Sequence, residues 1–170
     1  MLPVDLNIRQ RKTFPSTSIC IMVDASGSMG MVEDGVPKIR LAAKAAEETV
    51  KLLSPLDRVG VAGSTDGIEF VAPMQKLDDK AKVVAQVRKL SVGGGGIYIQ
   101  PSVAKAEQVL NKENTKVRHF ILLADGNDSE DQEGAIEIAV RMRANKITTT
   151  VVAIGDGRDV AFLRKLAAAG

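Results

Sequence analysis

Aromatic residues are scarce in this sequence. Phenylalanine and tyrosine make up 3% of the 170 residues, and there is no tryptophan. Proteins that stack nucleic-acid bases do so on aromatic side chains, so the scarcity argues against such a platform. The formal net charge is only +2 at pH 7, which also argues against a basic surface for phosphate backbones. We therefore expect no nucleic-acid partner.

The chain has one cysteine and one histidine. Cys20 lies within an apolar run, which predicts a buried thiol, and no second cysteine is present for an internal disulfide. His119 opens a predicted strand and lies roughly 20 Å from Asp125 at its other end, at about 3.3 Å per residue. A Ser–His–Asp hydrolase needs its histidine beside the serine, so this class of enzyme is not indicated.

Long apolar runs are missing too. No stretch reaches the about 18–20 residues that a membrane-spanning helix needs, so we expect no direct insertion of this segment into a membrane. Hydrophobic residues make up 45% and charged residues 26% of the chain, which is typical of a globular protein. The length suits one domain.

Strand-like and helix-like patterns alternate along the chain. The predicted strands cover residues 18–24, 58–63, 68–72, 116–126 and 147–157, the second and third pairing antiparallel across a turn at 64–67. The predicted helices cover residues 38–53, 78–90, 101–110, 133–145 and 159–169. In the second of these helices we expect Asp78 as the N-cap and Ala81, Val84 and Val87 facing inward.

This alternation predicts an α/β fold with three layers. We expect a doubly wound, mostly parallel, Rossmann-like sheet with one short antiparallel edge strand and helices on both faces. Ligands of such folds bind beyond the carboxyl ends of the strands. Three loops that are rich in glycine, acids or hydroxyls meet this condition, at residues 24–30, 92–97 and 125–133.

Asp24, Ser26 and Ser28 leave the first strand at alternate positions, and Asp125 ends a second apolar strand. One carboxylate with two neutral hydroxyls is a hard-oxygen donor set that suits Mg²⁺ or Mn²⁺ better than Zn²⁺. The same residues can instead cap backbone N–H groups in a turn without any ligand role. The acidic run at 127–133 lacks the pattern of a calcium loop, and we interpret it as a solvated loop that caps the next helix.

The motifs at the strand ends resemble those of the von Willebrand factor type A domain. "DASGS" at 24–28 matches the Asp-x-Ser-x-Ser signature of the metal-ion-dependent adhesion site (MIDAS) in that family. The family's later motif, usually Leu-Thr-Asp-Gly, is similar to "LLADG" at 122–126. Similar strings of the family correspond to "DRVGV" at 57–61 and "VAIGDG" at 152–157.

The resemblance implies roles for individual residues. Ser26 and Ser28 would bind the cation directly, and Asp24 and Asp125 would hold it through waters. The cation would be Mg²⁺, or Mn²⁺ or Ca²⁺. Gly96 stands where the family has a threonine ligand, and glycine brings no side-chain oxygen. The glycine run at 93–96 is then either a mobile turn or a segment whose backbone approaches the site closely.

The expected function is metal-dependent protein binding, in which an Asp or Glu of a protein partner completes the metal shell. Loops 29–37 and 96–101 would set specificity, and the last helix is a candidate for movement on metal binding by analogy with the family.

The first alternative is a structural interaction domain with a degenerate, metal-free site. The second is a Mg²⁺-dependent phosphotransferase with Asp24 as nucleophile. Such an enzyme needs a second carboxylate where Ser26 stands and a lysine near the strand ends, and we expect neither, so we predict no enzyme activity.

We expect residues 1–170 to form a single domain of a longer chain, with the last edge strand of the family missing or truncated. The opening residues and the glycine-rich loop resemble bacterial membrane-anchored proteins that join this domain to a glutamine-amidotransferase-like domain. That resemblance implies a membrane-associated parent protein.

Overall fold

The computed structural model describes residues 15–127, the backbone of 129–130, and residues 132–170. In chain order the strands are β1 (Thr17–Asp24), β2 (Val32–Glu33), β3 (Val36–Pro37), β4 (Arg58–Ser64), β5 (Ile68–Lys76), β6 (Ile97–Tyr98), β7 (Val117–Ala124), β8 (Ser129–Glu130) and β9 (Ile147–Ala153). The helices are a 3₁₀ helix (Gly27–Gly30), α1 (Lys38–Leu52), α2 (Lys80–Val87), α3 (Ile99–Leu110), α4 (Ala135–Ala144) and α5 (Val160–Ala169).

The central sheet has the strand order β5-β4-β1-β7-β9. Strands β4, β1, β7 and β9 run parallel, and β5 pairs antiparallel with β4 at one edge. The predicted α/β class, with its mostly parallel sheet and one antiparallel edge strand, is therefore confirmed. β1 lies at the centre, so its carboxyl end is flanked by those of β4 and β7.

Both faces of β1 are buried, which explains its unbroken apolar sequence. Ile21 and Val23 point to one face, where they pack with α1 and α2. Cys20 and Met22 point to the other face, where they pack with α3, α4 and α5. Successive side chains of a strand alternate between faces, so one apolar run supplies two separate cores. The thiol of Cys20 is fully buried, as predicted.

Two details of α2 differ from the sequence prediction. The N-cap is Asp79, whose side chain accepts a hydrogen bond from the backbone N–H of Lys82 at 3.0 Å, and the predicted cap Asp78 lies one residue earlier. Ala81 is exposed, and Val83 is buried beside Val84 and Val87. Val83, Val84 and Val87 share one face of the helix at spacings of three and four, and Ala81 is less apolar than Val83 and stays outside that face.

Other predicted bounds shift at turns. β5 extends to Lys76, beyond the predicted end at residue 72, and α4 begins at Ala135. The residue before α4 is Gly134 at φ +78°, and this helix start has no side-chain cap, so the prediction that the acidic loop caps the helix is wrong for the described residues. Asp128 and Asp131 of that loop lie outside them.

His119 lies half-buried on β7, and its two ring nitrogens contact the hydroxyls of Thr148 and Thr150 on β9. Burial lowers its pKa. It is therefore a strand residue held between neighbours, as its position in the sequence indicated. In the described ranges no helix is both long and apolar enough to cross a membrane.

Candidate metal centre

The three predicted loops meet at the carboxyl edge of the sheet. The backbone N–H of Gly27 donates to the carbonyl of Gly95 at 2.9 Å, and that of Gly93 donates to the carbonyl of Ala25 at 2.8 Å. Gly94 and Gly95 have φ values of +87° and +66°, which glycine adopts without strain. Of the two interpretations of the glycine run, the structure shows the close backbone approach.

Side-chain oxygens of the first motif and of Asp125 form a continuous chain. The backbone N–H of Ser26 donates to Oδ1 of Asp24 at 2.8 Å, which curls the loop back over the end of β1. The hydroxyls of Ser26 and Ser28 lie 3.2 Å apart. The Ser28 hydroxyl also donates to Oδ1 of Asp125 at 3.0 Å. The predicted convergence of these four side chains is therefore observed.

Asp24 is the unusual member of this group. It is fully buried, and its Oδ2 atom has no hydrogen-bond partner among the described residues. Burial raises the pKa of Asp24 to about 6; hydrogen bonds from Ser26 oppose this rise, and the nearby charge of Asp125 adds to it. A buried carboxylate oxygen without a partner is costly, and a cation held between Asp24 and the neighbouring serines would satisfy it.

Asp125, in contrast, has several hydrogen-bond donors. Asn127 donates from its backbone N–H to Oδ1 at 3.0 Å and from its side-chain amide to Oδ2 at 3.2 Å. The Lys38 ammonium donates to Oδ2 at 3.1 Å. Burial alone would raise the pKa of Asp125, but these bonds and that from Ser28 lower it.

Lys38 is the residue that sequence reasoning missed. We expected no lysine near the strand ends, and the structure shows one in contact with a predicted site residue, which corrects that expectation. Lys38 is the first residue of α1 and lies 10 positions after Ser28, the last residue of "DASGS". Nothing in the apolar spacing of the helix marks it. Only the packing of α1 against the sheet brings its amine to Asp125.

The donor set is small. Gly96 adds no side-chain oxygen at the position where the family has its threonine. In the parts of the chain that the structure describes, no group of three or more Asp, Glu, His or Cys side chains is placed to hold a metal ion. The candidate centre instead combines two carboxylates with two hydroxyls, a set that fits a hard cation with some of its waters retained.

A surface groove lies over the Ser28 end of this chain of oxygens. It encloses about 430 Å³ and is lined by Gly27, Ser28, Met31, Asn127 and Arg158. Met31 and Val32 beside it are 59% and 64% exposed. A larger cavity of about 650 Å³ lies between residues 63–71 and 89–93, and none of the four oxygen-bearing residues lines it.

Comparison with solved structures shows the same fold in other proteins. BatB, a conserved hypothetical protein of Bacteroides thetaiotaomicron, has a TM-score of 0.79 and 17% identity, over 91% of this chain and 87% of that one. An aerotolerance-related membrane protein of Bacteroides fragilis has a TM-score of 0.75 and 17% identity, over 91% and 88%. Proximal thread matrix protein 1 of the mussel byssus, with a zinc-occupied MIDAS motif, has a TM-score of 0.75 and 17% identity, over 90% and 39%.

Curated proteins provide no match to this sequence. The family model of the von Willebrand factor type A domain matches residues 18–170, from the second residue of β1 through α5. This match covers the central sheet except for Thr17, and it includes both strand-end motifs. The chain therefore belongs to the von Willebrand factor type A domain family.

Proposed function

We propose that this domain is a divalent-metal-dependent protein-binding module, in which a carboxylate of a protein partner completes the metal shell. The observation that carries the proposal is Oδ2 of buried Asp24, which has no hydrogen-bond partner among the described residues. It belongs to the loop whose serine hydroxyls contact each other and Asp125. In a purely structural turn, most buried carboxylate oxygens have a donor.

The proposed ligands are Ser26, Ser28, Asp24 and Asp125. When bound, the cation supplies a Lewis-acid centre with a free position, which an Asp or Glu of the partner can fill. Hard oxygen ligands favour Mg²⁺ or Mn²⁺, and Ca²⁺ takes the same type of ligand. The zinc-occupied MIDAS motif of mussel proximal thread matrix protein 1, which has the same fold, supports metal binding as the proposed role.

The groove over Ser28 is the proposed binding surface for the partner. Arg158 lines it and is well exposed, so it can pair with an acidic partner residue. The apolar side chains of Met31 and Val32 lie exposed on the adjoining loop. We therefore propose that residues 29–37, together with 96–101, select the partner.

Calorimetric titration of the protein with MgCl₂ and MnCl₂ tests this proposal. We expect saturable binding, a Tm that rises with metal concentration, and loss of both in Asp24→Ala. Asp66→Ala, which removes an exposed carboxylate from a turn, is the matched control and should bind metal as the unchanged protein does. Indifference of the folded protein to millimolar metal would contradict the proposal.

The alternative of a degenerate, metal-free interaction domain is favoured by two observations. Gly96 provides no side-chain ligand, and Lys38 already supplies a positive charge to Asp125. This alternative predicts that a partner binds equally well in EDTA and in Mg²⁺. Our proposal predicts that EDTA abolishes the interaction.

We also propose that the domain is not an enzyme. The lysine that a phosphotransferase needs is present in Lys38, but Ser26 stands where the second carboxylate is required. Asp24 has no exposed surface, which hinders its attack on a phosphoester. Release of phosphate from p-nitrophenyl phosphate in Mg²⁺, lost in Asp24→Asn, would overturn this expectation.

We also propose that this domain is part of a longer, bacterial, membrane-associated protein. The likeness to an aerotolerance-related membrane protein of Bacteroides fragilis supports this setting. Fractionation of the source cells with an antibody against the domain would test it, and recovery only in the cytosol would contradict it.

A further inference from the structure

Lys38 places a positive charge inside the candidate metal centre. Its side chain is 9% exposed and that of Asp125 is fully buried, with 3.1 Å between Nζ and Oδ2. The pair is therefore shielded from solvent. In such a buried position a charge acts more strongly on its neighbours than it would at the surface.

The position of Lys38 within its helix is unfavourable. It is the first residue of α1, where the positive end of the helix dipole disfavours a cation, and the first turn contains no acidic residue. Nothing local to the helix compensates for this arrangement. The contact with Asp125 is the interaction that accounts for it.

Among the described residues, Glu33 is a second charged group beside the space that the Lys38 amine borders. Its Oε2 atom is buried without a hydrogen-bond partner among the described residues. A Cβ atom built on Gly155 would lie 2.9 Å from that oxygen and 3.4 Å from Nζ of Lys38, so both groups border the same small space. The pair distance exceeds that of an ion pair, and Asp125 remains the direct partner of the lysine.

Removal of Lys38 would thus change the local charge by one negative unit, with all carboxylates kept. A more negative site attracts a divalent cation more strongly. With the metal bound, the site without Lys38 is less positive than the metal-loaded site of the unchanged protein, and it therefore attracts a carboxylate less strongly. The two effects of one charge have opposite signs.

We propose that Lys38 is a built-in cation that weakens resting metal affinity and strengthens carboxylate binding by the metal-loaded site. This inference rests on the proposed function. Its consequence is that the lysine charge makes the site hold a metal more weakly in the absence of a partner carboxylate and makes the loaded site hold that carboxylate more tightly.

The test compares Lys38→Met with Lys44→Met, which removes a positive charge from the exposed face of the same helix. Calorimetric titration with MgCl₂ at pH 8 should show that Lys38→Met binds about tenfold more tightly or better, and Lys44→Met as the unchanged protein. Acetate titrated into the Mg²⁺-saturated proteins, followed by NMR, should bind more weakly to Lys38→Met only.

Lys38→Gln removes the same charge and keeps a polar side chain, and it serves if Lys38→Met does not fold. It should bind Mg²⁺ more tightly and acetate more weakly than the unchanged protein, as expected for Lys38→Met. If the unchanged protein binds Mg²⁺ and Lys38→Met binds it equally or less tightly, the inference about Lys38 fails and the proposed function stands. If neither protein binds Mg²⁺, the proposed function fails and the inference fails with it.

Discussion

Ser28 is the side chain that joins two strand ends at the candidate site. Its hydroxyl lies within hydrogen-bond distance of Ser26 and donates to Asp125, so one oxygen links the loop after β1 to the loop after β7. A residue in this position acts on the local geometry more than on the stability of the fold, because the other donors to Asp125 remain when the hydroxyl is removed.

Ser28→Ala should therefore separate binding from folding. We expect a loss of unfolding free energy of about 1 kcal/mol, the usual net value of one hydrogen bond, together with loss of Mg²⁺ binding. Urea unfolding and calorimetry measure the two effects. Ser91→Ala, on an exposed residue near the glycine-rich loop, is the control and should change neither.

Gly157 packs closely against the backbone of Asp125 and Gly126. A Cβ atom at this position would lie 2.1 Å from the carbonyl oxygen of Asp125 and 2.5 Å from the carbonyl carbon of Gly126. The nearby N–H of Asp159 donates to the carbonyl of Gly126 at 2.7 Å, so the start of α5 is attached to the same turn.

Gly157→Ala should thus force the turn after β7 to move. We expect lower Tm and weaker Mg²⁺ binding, since backbone atoms cannot yield as a flexible side chain does. Gly67→Ala is the matched control, because its Cβ would meet nothing within 4 Å. Equal metal affinity in the two variants would contradict the expectation.

At the scale of elements, α1 and α2 are connected by a charged pair across their outer surfaces. Arg88, just after α2, donates to both oxygens of Glu47 on α1 at 2.9 and 2.7 Å. Its hydrogen bonds, and those of Lys51, lower the pKa of Glu47 to about 2. The contact joins the two helices that cover the core containing Ala43, Ala46 and Val84.

Glu47→Gln should alter the acid sensitivity of the fold. The folded-state pKa lies below the ordinary value of 4.5, so the ionised pair stabilises the protein above that pH and the stabilisation is lost as pH falls toward 2. Urea unfolding between pH 6 and 2 should therefore give a shallower pH dependence in Glu47→Gln. Glu48→Gln, one residue further on the exposed face, should keep a steeper one.

At the scale of the whole molecule, one sheet separates two apolar cores. Ile21 belongs to the core under α1 and α2, and Ile147 belongs to the core under α3, α4 and α5. Both side chains are fully buried. The two cores share the strands of the sheet, so we expect the domain to unfold as one unit. They do not share these side-chain contacts, so substitutions at Ile21 and Ile147 should affect the unfolding free energy independently.

Ile21→Val and Ile147→Val test this separation. Each should lower the unfolding free energy by about 0.5–1.5 kcal/mol, and the double variant should lower it by the sum to within about 0.5 kcal/mol. Urea denaturation followed by circular dichroism measures all three values. A double variant that departs strongly from the sum would show that the two cores are coupled through the sheet.

The alternation of apolar strands and amphipathic helices was sufficient to predict the fold class, because strand and helix periods differ and each long element carries its own pattern. The exact first and last residues of the helices and strands were less predictable. Asp78 and Asp79 are equally good N-caps by residue type, and only the position of α2 on the sheet selects Asp79. The candidate site was predictable in part, since Asp24, Ser26 and Ser28 are close in sequence.

Local sequence pattern was enough to predict the layered fold, the motif oxygens of Asp24, Ser26 and Ser28, and the strand that ends at Asp125. Only tertiary packing brings Lys38 to Asp125 and Gly95 to Gly27, and only packing buries Oδ2 of Asp24 without a donor among the described residues. These contacts join residues far apart in the chain, and their distances depend on how helices and loops pack over the edge of the sheet.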